Sequence, residues 1–226
     1  MDIALFPYER LILEALEKEY ALDRVLVVGF ASSLNQLSRL FEMISQSDIE
    51  LRTGPLVIIG FINHTHHLII GGLQALMVGN GPVWSACVRG LAETLGACKI
   101  ISDSPAKAVS FFDGKIKAGQ LAAAAEKVSP GLKNDINRLS QIVHPGSRAI
   151  VAGWNKFDSV TLTAVFQYGL RHPTNEDGCE EGVTVLANLA SLILEMLNQL
   201  SEQKDVLSTG KVIMVRTSIN QKKGNG

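Results

Sequence analysis

From Pro55 to Ile101 the chain is apolar almost all the way round, and its main interruptions are a histidine cluster, an Asn80-Gly81-Pro82 turn and the Arg89/Glu93 pair. A stretch of this kind has two stable fates, a bilayer or the middle of a thick protein core. Residues 56–78 are long enough to span a membrane. Their centre, however, reads Asn63-His64-Thr65-His66-His67, and polar side chains at a bilayer midplane each oppose insertion by up to roughly 3 kcal/mol. Basic flanks are missing as well, with Arg52 the nearby exception. The spacing therefore predicts two buried helices at the centre of a bundle, not a transmembrane segment. Composition agrees: 46% of the 226 residues are hydrophobic but only 6% aromatic, which puts the apolar weight on Leu, Ile, Val and Ala. With 19% charged residues and a mean hydropathy of +0.19, general disorder is excluded, and 24.4 kDa is enough chain for a core without disulfides or a structural metal.

Apolar positions at spacings of three and four continue on both sides. Pro7 is placed as the first residue of a helix through Leu11, Ile12, Ala15 and Leu16. Leu22-Asp23 offers a cap for a longer amphipathic helix through Leu34, Leu37, Phe41 and Ile44. A helix with a break near Gly114 is expected over 106–127, and Ser129-Pro130 is expected to open the next, which His144-Pro145-Gly146 stops. Thr174-Asn175-Glu176-Asp177 supplies a cap and first-turn acids for a last helix through Leu200. The alternation Val160, Leu162, Ala164, Phe166, Tyr168 is the least helical part of the body, and 211–216 is its expected partner strand. The expectation is an all-α bundle of about six or seven helices with a minor β element at 160–168 and 211–216, in one domain spanning 1–208. A basic, mobile tail is expected over 209–226.

The formal net charge is −1, from 21 bases and 22 acids. Four of the bases lie after Asp205 with no acid, so the body carries about −5 and the tail +4. No general electrostatic pull toward nucleic acid or anionic lipid follows, and neither DNA nor a membrane is an expected partner. Cys87, Cys98 and Cys179 form no CxxC pair; the first two, eleven residues apart on one helix, would stand about 16 Å apart. They read as reduced thiols, and with no secretory signal visible at Met1–Pro7 the expected compartment is the cytoplasm.

His64 and His67 are the weak metal candidates: a spacing of three puts both on one helical face with His66 well round the helix, but residues 51–92 contain no Glu to complete a set. Arg89 and Glu93, four apart, share a face of a buried helix, either as an ion pair that fixes register or as support for a polar cleft. Arg138 and His144 are about 120° apart on a regular helix. Pro145 takes His144 out of α geometry, so its ring can turn back toward Arg138 and the two can hold a phosphate; equally, His144-Pro145-Gly146 can be a plain helix stop with Arg138 paired to Asp135 or Asn134. No phosphate loop, GxGxxG or GxSxG elbow is present, and no cofactor is implied.

Two segments, Asn80-Gly81-Pro82-Val83-Trp84-Ser85-Ala86-Cys87-Val88-Arg89-Gly90-Leu91-Ala92-Glu93 and Leu139-Ser140-Gln141-Ile142-Val143-His144-Pro145-Gly146, resemble the HEPN-like helical proteins. The closest likeness is to a branch with an Arg-x-x-x-Glu helix and a later Leu-Ser-x-x-x-His-Pro turn. The resemblance implies an all-α bundle, often a homodimer, in bacterial stress or phage defence. Active HEPN members are metal-independent endoribonucleases with an Arg-x4-6-His motif, which Arg138 and His144 fit in spacing. On that reading Arg138 and His144 are catalytic, Arg89, Glu93 and Ser140 line the binding region, and RNA is the partner. Leu139 stands where such members usually carry a polar residue.

Overall fold

A computed structural model describes residues 7–19, 22–45, 52–143, 154–158, 163–166 and 176–212. For 19, 45, 141–143, 176–180 and both strands it describes the backbone alone. In chain order the elements are α1 (Pro7–Glu19), α2 (Arg24–Ser45), α3 (Thr53–Met77), α4 (Gly81–Asp103), α5 (Lys107–Phe112), α6 (Ala118–Val128), α7 (Leu132–Val143), β1 (Trp154–Asp158), β2 (Thr163–Phe166), α8 (Glu176–Glu202) and α9 (Lys204–Leu207). The chain is an all-α multi-helix bundle. The helix expected over 106–127 is broken near Gly114 into α5 and α6, whereas the four-residue α9 is one that hydrophobic periodicity does not reveal, since it offers barely one turn of apolar stripe to read.

The central pair is α3 and α4. α4 packs on α3, α6, α7 and α8, while α3 also meets α2, α5 and α8. This is why their sequences are apolar on nearly every face: Ile58, Ile69 and Leu73 on α3 and Leu91, Leu95, Cys98 and Ile101 on α4 are all at most 1% exposed. Asn80 starts α4, its side-chain oxygen accepting from the Val83 N–H at 3.3 Å. α3 and α8 are both long and apolar enough to cross a membrane by length and composition, and in each half of the most apolar window is buried inside the bundle.

Close approach of the helices depends on glycine. A Cβ on Gly96 would stand 2.1 Å from the Leu121 carbonyl oxygen, so α4 and the alanine-rich α6 touch backbone to backbone. Between α3 and α8 the contact is reciprocal: Leu186 lies against Gly72 and Leu76 against Gly182. Burial pushes the Cys98 thiol far above its usual range and raises Cys87 too, so both are protonated packing residues.

Local structure departs from expectation in three places. Ser129 does not cap α7. Gly131, at φ +98°, turns the chain left-handed, and the carboxylate of Glu126, at the end of α6, accepts the N–H groups of Gly131 (3.0 Å) and Lys133 (2.9 Å). These bonds hold the Glu126 carboxyl below its ordinary pKa. The period-two segment does contain a strand, β2, and it pairs antiparallel with β1, a partner the alternation does not point to: Lys156 faces Val165 and Asp158 faces Thr163, while 213–216, most of the expected partner strand, lies outside the described residues. A nearby hairpin closes a far shorter loop than a partner some fifty residues away. Val212 instead bridges to Arg52, the Gly54 N–H donates to the Thr209 carbonyl at 3.1 Å, and Arg52 Nη1 donates to the Gly210 carbonyl at 3.4 Å. Residues 209–212, expected in the tail, are thus hydrogen-bonded to the start of α3, where the first N–H groups of a helix lack intrahelical partners. Residues 213–226 lie outside the described part.

Candidate functional site

The candidate residues fall around three hollows. The first, about 440 Å³, opens between α3, α4, α5 and α6 and is lined by Gly60, Phe61, His64, Glu93, Phe111 and Phe112 among others. Glu93 is here because α4 turns its polar stripe away from α7. Its Oε1 accepts from Arg89 Nε at 2.9 Å, with the two side chains 25% and 21% exposed. The ion pair expected from the i, i+4 spacing is therefore present, and it leaves Oε2 facing solvent and pocket with no hydrogen bond among the described residues. His64 sits at the rim, exposed but partly desolvated. Desolvation and the neighbouring His67 lower its pKa against an opposing pull from Glu93, so the neutral ring is favoured as an acceptor. Phe61 and Phe111 meet edge to face, their centroids 4.9 Å apart.

The second hollow, about 390 Å³, lies between α1, α2 and α3 and takes the other two histidines with Tyr8, Ser38, Glu42 and Asn63. Glu9 is buried beneath it, 1% exposed, and bonds His66 Nε2 through Oε1. Tyr8 meets the His66 ring edge-on, and its phenol is pushed up by desolvation and by the Glu9 charge. His67 Nδ1 is engaged with the Asn63 carbonyl at 2.8 Å. His64 and His67, expected on one face, are near enough to influence each other yet line different hollows, whereas His66 and His67 share one. The cause is side-chain direction: neighbouring helices compete for the same stretch of α3 and draw the rings apart. No group of three or more His, Cys, Asp or Glu among the described residues could hold a metal. Glu9 was missed as a site residue, although a signal existed: it stands at the spacing of Ile12, Leu13 and Leu16, inside the apolar stripe of α1.

The third hollow, about 260 Å³, lies between α4, α7 and α8, and its lining includes Trp84, Asp135, Arg138 and Asn188. Arg138 is exposed at its edge. It makes no ion pair or hydrogen bond among the described residues, so the alternative pairing with Asp135 does not form. The Trp84 Nε1–H is buried and meets no acceptor among the described residues. Ser140 turns its hydroxyl back to the Ile136 carbonyl at 2.6 Å. His144 lies outside the described residues. Glu93 and Arg138 line different hollows, because Glu93 faces α5 while Val88 and Ala92, on another face of α4, look toward α7.

Architecture and hollows together define a helical-bundle protein with acid, imidazole and arginine groups at its inter-helix clefts. Comparison of the chain with family models, with curated proteins and with solved structures gives no match.

Proposed function

We propose that the chain is a HEPN-like, RNA-acting protein of the cytoplasm, a metal-independent endoribonuclease or an RNA binder in bacterial stress or phage defence, working from Arg138 and His144 as a homodimer. The observation that carries this reading is Arg138 itself, an exposed guanidinium at the edge of a cleft and without an ion-pair partner among the described residues. An unpaired arginine is suited to grip a phosphate through two parallel N–H donors. In the implied chemistry His144 takes the proton of the ribose 2′-hydroxyl while that oxygen attacks the adjacent phosphate, which Arg138 steadies, and the 5′-oxygen leaves. The purified chain in EDTA is expected to cleave mixed RNA, with His144→Ala and Arg138→Ala each slowing cleavage by about a hundredfold or more. Equal cleavage by the variants, or none by any protein, sinks the nuclease.

A non-catalytic, self-associating regulatory module is the second reading, favoured by apolar side chains left in solvent on the first two helices. Leu11 is 66% exposed, Val25 76% and Val28 51%. Sedimentation is expected to give a dimer that the double change Leu11→Glu/Val25→Glu converts to monomer; a monomeric wild-type chain removes this reading and the dimer of the first.

A further inference from the structure

The hollow between α3, α4, α5 and α6 has the build of a ligand site independent of the Arg138 cleft. At about 440 Å³ it is within the range of small-molecule pockets. Part of its lining is aromatic, the Phe61/Phe111 pair with Phe112, which is 56% exposed. The same lining carries two hydrogen-bond acceptors that no described residue uses, Glu93 Oε2 and the His64 ring. Among the described residues no lysine or arginine lines it, and Arg89, outside the lining, bonds Glu93 Oε1. Gly60 lines it too, exposed on α3, and a Cβ built there meets no atom within 4 Å, so a larger side chain at this position can reach over the hollow.

We propose that this pocket binds a small organic cation with an apolar body, an amine or amidine whose N–H groups donate to Glu93 and His64 while its carbon skeleton lies against the phenylalanines. Each part of the pocket selects for that chemistry. A carboxylate oxygen forms stronger, shorter hydrogen bonds with a charged donor than with a neutral one. Phenylalanine faces attract a cation and accept an apolar body. A neutral imidazole accepts without adding positive charge that would repel the ligand, and among the described lining residues anions find no other donor side chain than the Thr94 hydroxyl, which already donates to the Gly90 carbonyl at 2.8 Å.

Calorimetry of the full chain with benzamidine, against benzyl alcohol as the uncharged probe of similar shape, tests the proposal. Benzamidine is expected to saturate one site about tenfold or more tighter than benzyl alcohol. Gly60→Leu, which reaches over the hollow, should abolish binding of both. Glu93→Gln should bring benzamidine down to the alcohol's affinity and leave the alcohol unchanged. If Glu93→Gln does not fold, the two-probe ratio and Gly60→Leu still decide. Equal affinity for the two probes, or benzamidine binding untouched by Gly60→Leu, overturns the proposal.

Discussion

Gly96→Ala should unfold at a markedly lower temperature than the parent, although alanine is the better helix former. The propensity gain is about 1 kcal/mol for a glycine inside a helix. Against it, the new Cβ would lie 2.1 Å from the Leu121 carbonyl oxygen and 2.8 Å from its carbon, both backbone atoms that no rotamer change can move. α4 and α6 would have to separate, losing contact along the whole face where Ala122 and Ala125 pack. Overpacking of this kind costs about 3 kcal/mol, more where backbone must shift, so the clash wins. For a chain of this length a net loss of about 2 kcal/mol is roughly 4–8 °C in Tm. Gly29→Ala is the matched comparison: Gly29 is exposed on α2 and its Cβ meets nothing within 4 Å, so that variant should gain about 0.5–1 kcal/mol. Thermal melts of the two variants side by side check the pair, and a Gly96→Ala protein as stable as Gly29→Ala would contradict the close packing of α4 on α6.

His66→Ala is expected to cost about 2 kcal/mol, because it takes one of the partners from a carboxylate that is 1% exposed. The loss should concentrate on α1, whose Ile12, Leu13 and Leu16 are buried and whose main contacts among the described residues are with α2 and α3. The double change Glu9→Leu/His66→Leu should be much less harmful or even stabilising, since it removes the acid along with its partner and leaves apolar groups in an apolar place. Urea unfolding reads the free energies, and limited proteolysis near residue 20 reads release of α1. If the double variant is as unstable as His66→Ala, the penalty comes from lost packing volume and not from the loss of the His66 bond to the carboxylate.

Much of the fold is legible in the residues. Pro7, Asp23, Asn80 and Gly114 mark real boundaries: Asp23 Oδ1 accepts the Val25 N–H at 2.8 Å, and Gly114 sits at φ +68° between α5 and α6. Caps and glycine turns act within a few residues, so short-range reading finds them. The Glu126 cap on α7 was hidden because Ser129 offers the same chemistry closer by, and only the left-handed turn at Gly131 aims the N–H groups at the neighbouring helix. Among site residues, the Arg89/Glu93 pair was readable because one helix holds both ends. The partnership of Glu9 with His66 was not, since 57 positions separate them and the link exists only once α1 lies on α3.

By itself the sequence determined that this chain builds a helical bundle around two apolar central helices, because hydrophobic spacing and caps are properties of one segment at a time. Which histidine faces which cleft, which glycine bears a backbone contact and whether Arg138 finds a partner among the described residues were decided only by the tertiary structure. His64, His66 and His67 are nearly consecutive, yet they differ in surroundings because α1, α2, α4 and α5 cover α3 unequally. A side chain's chemistry depends on burial and on its neighbours, and both are supplied by helices distant in sequence.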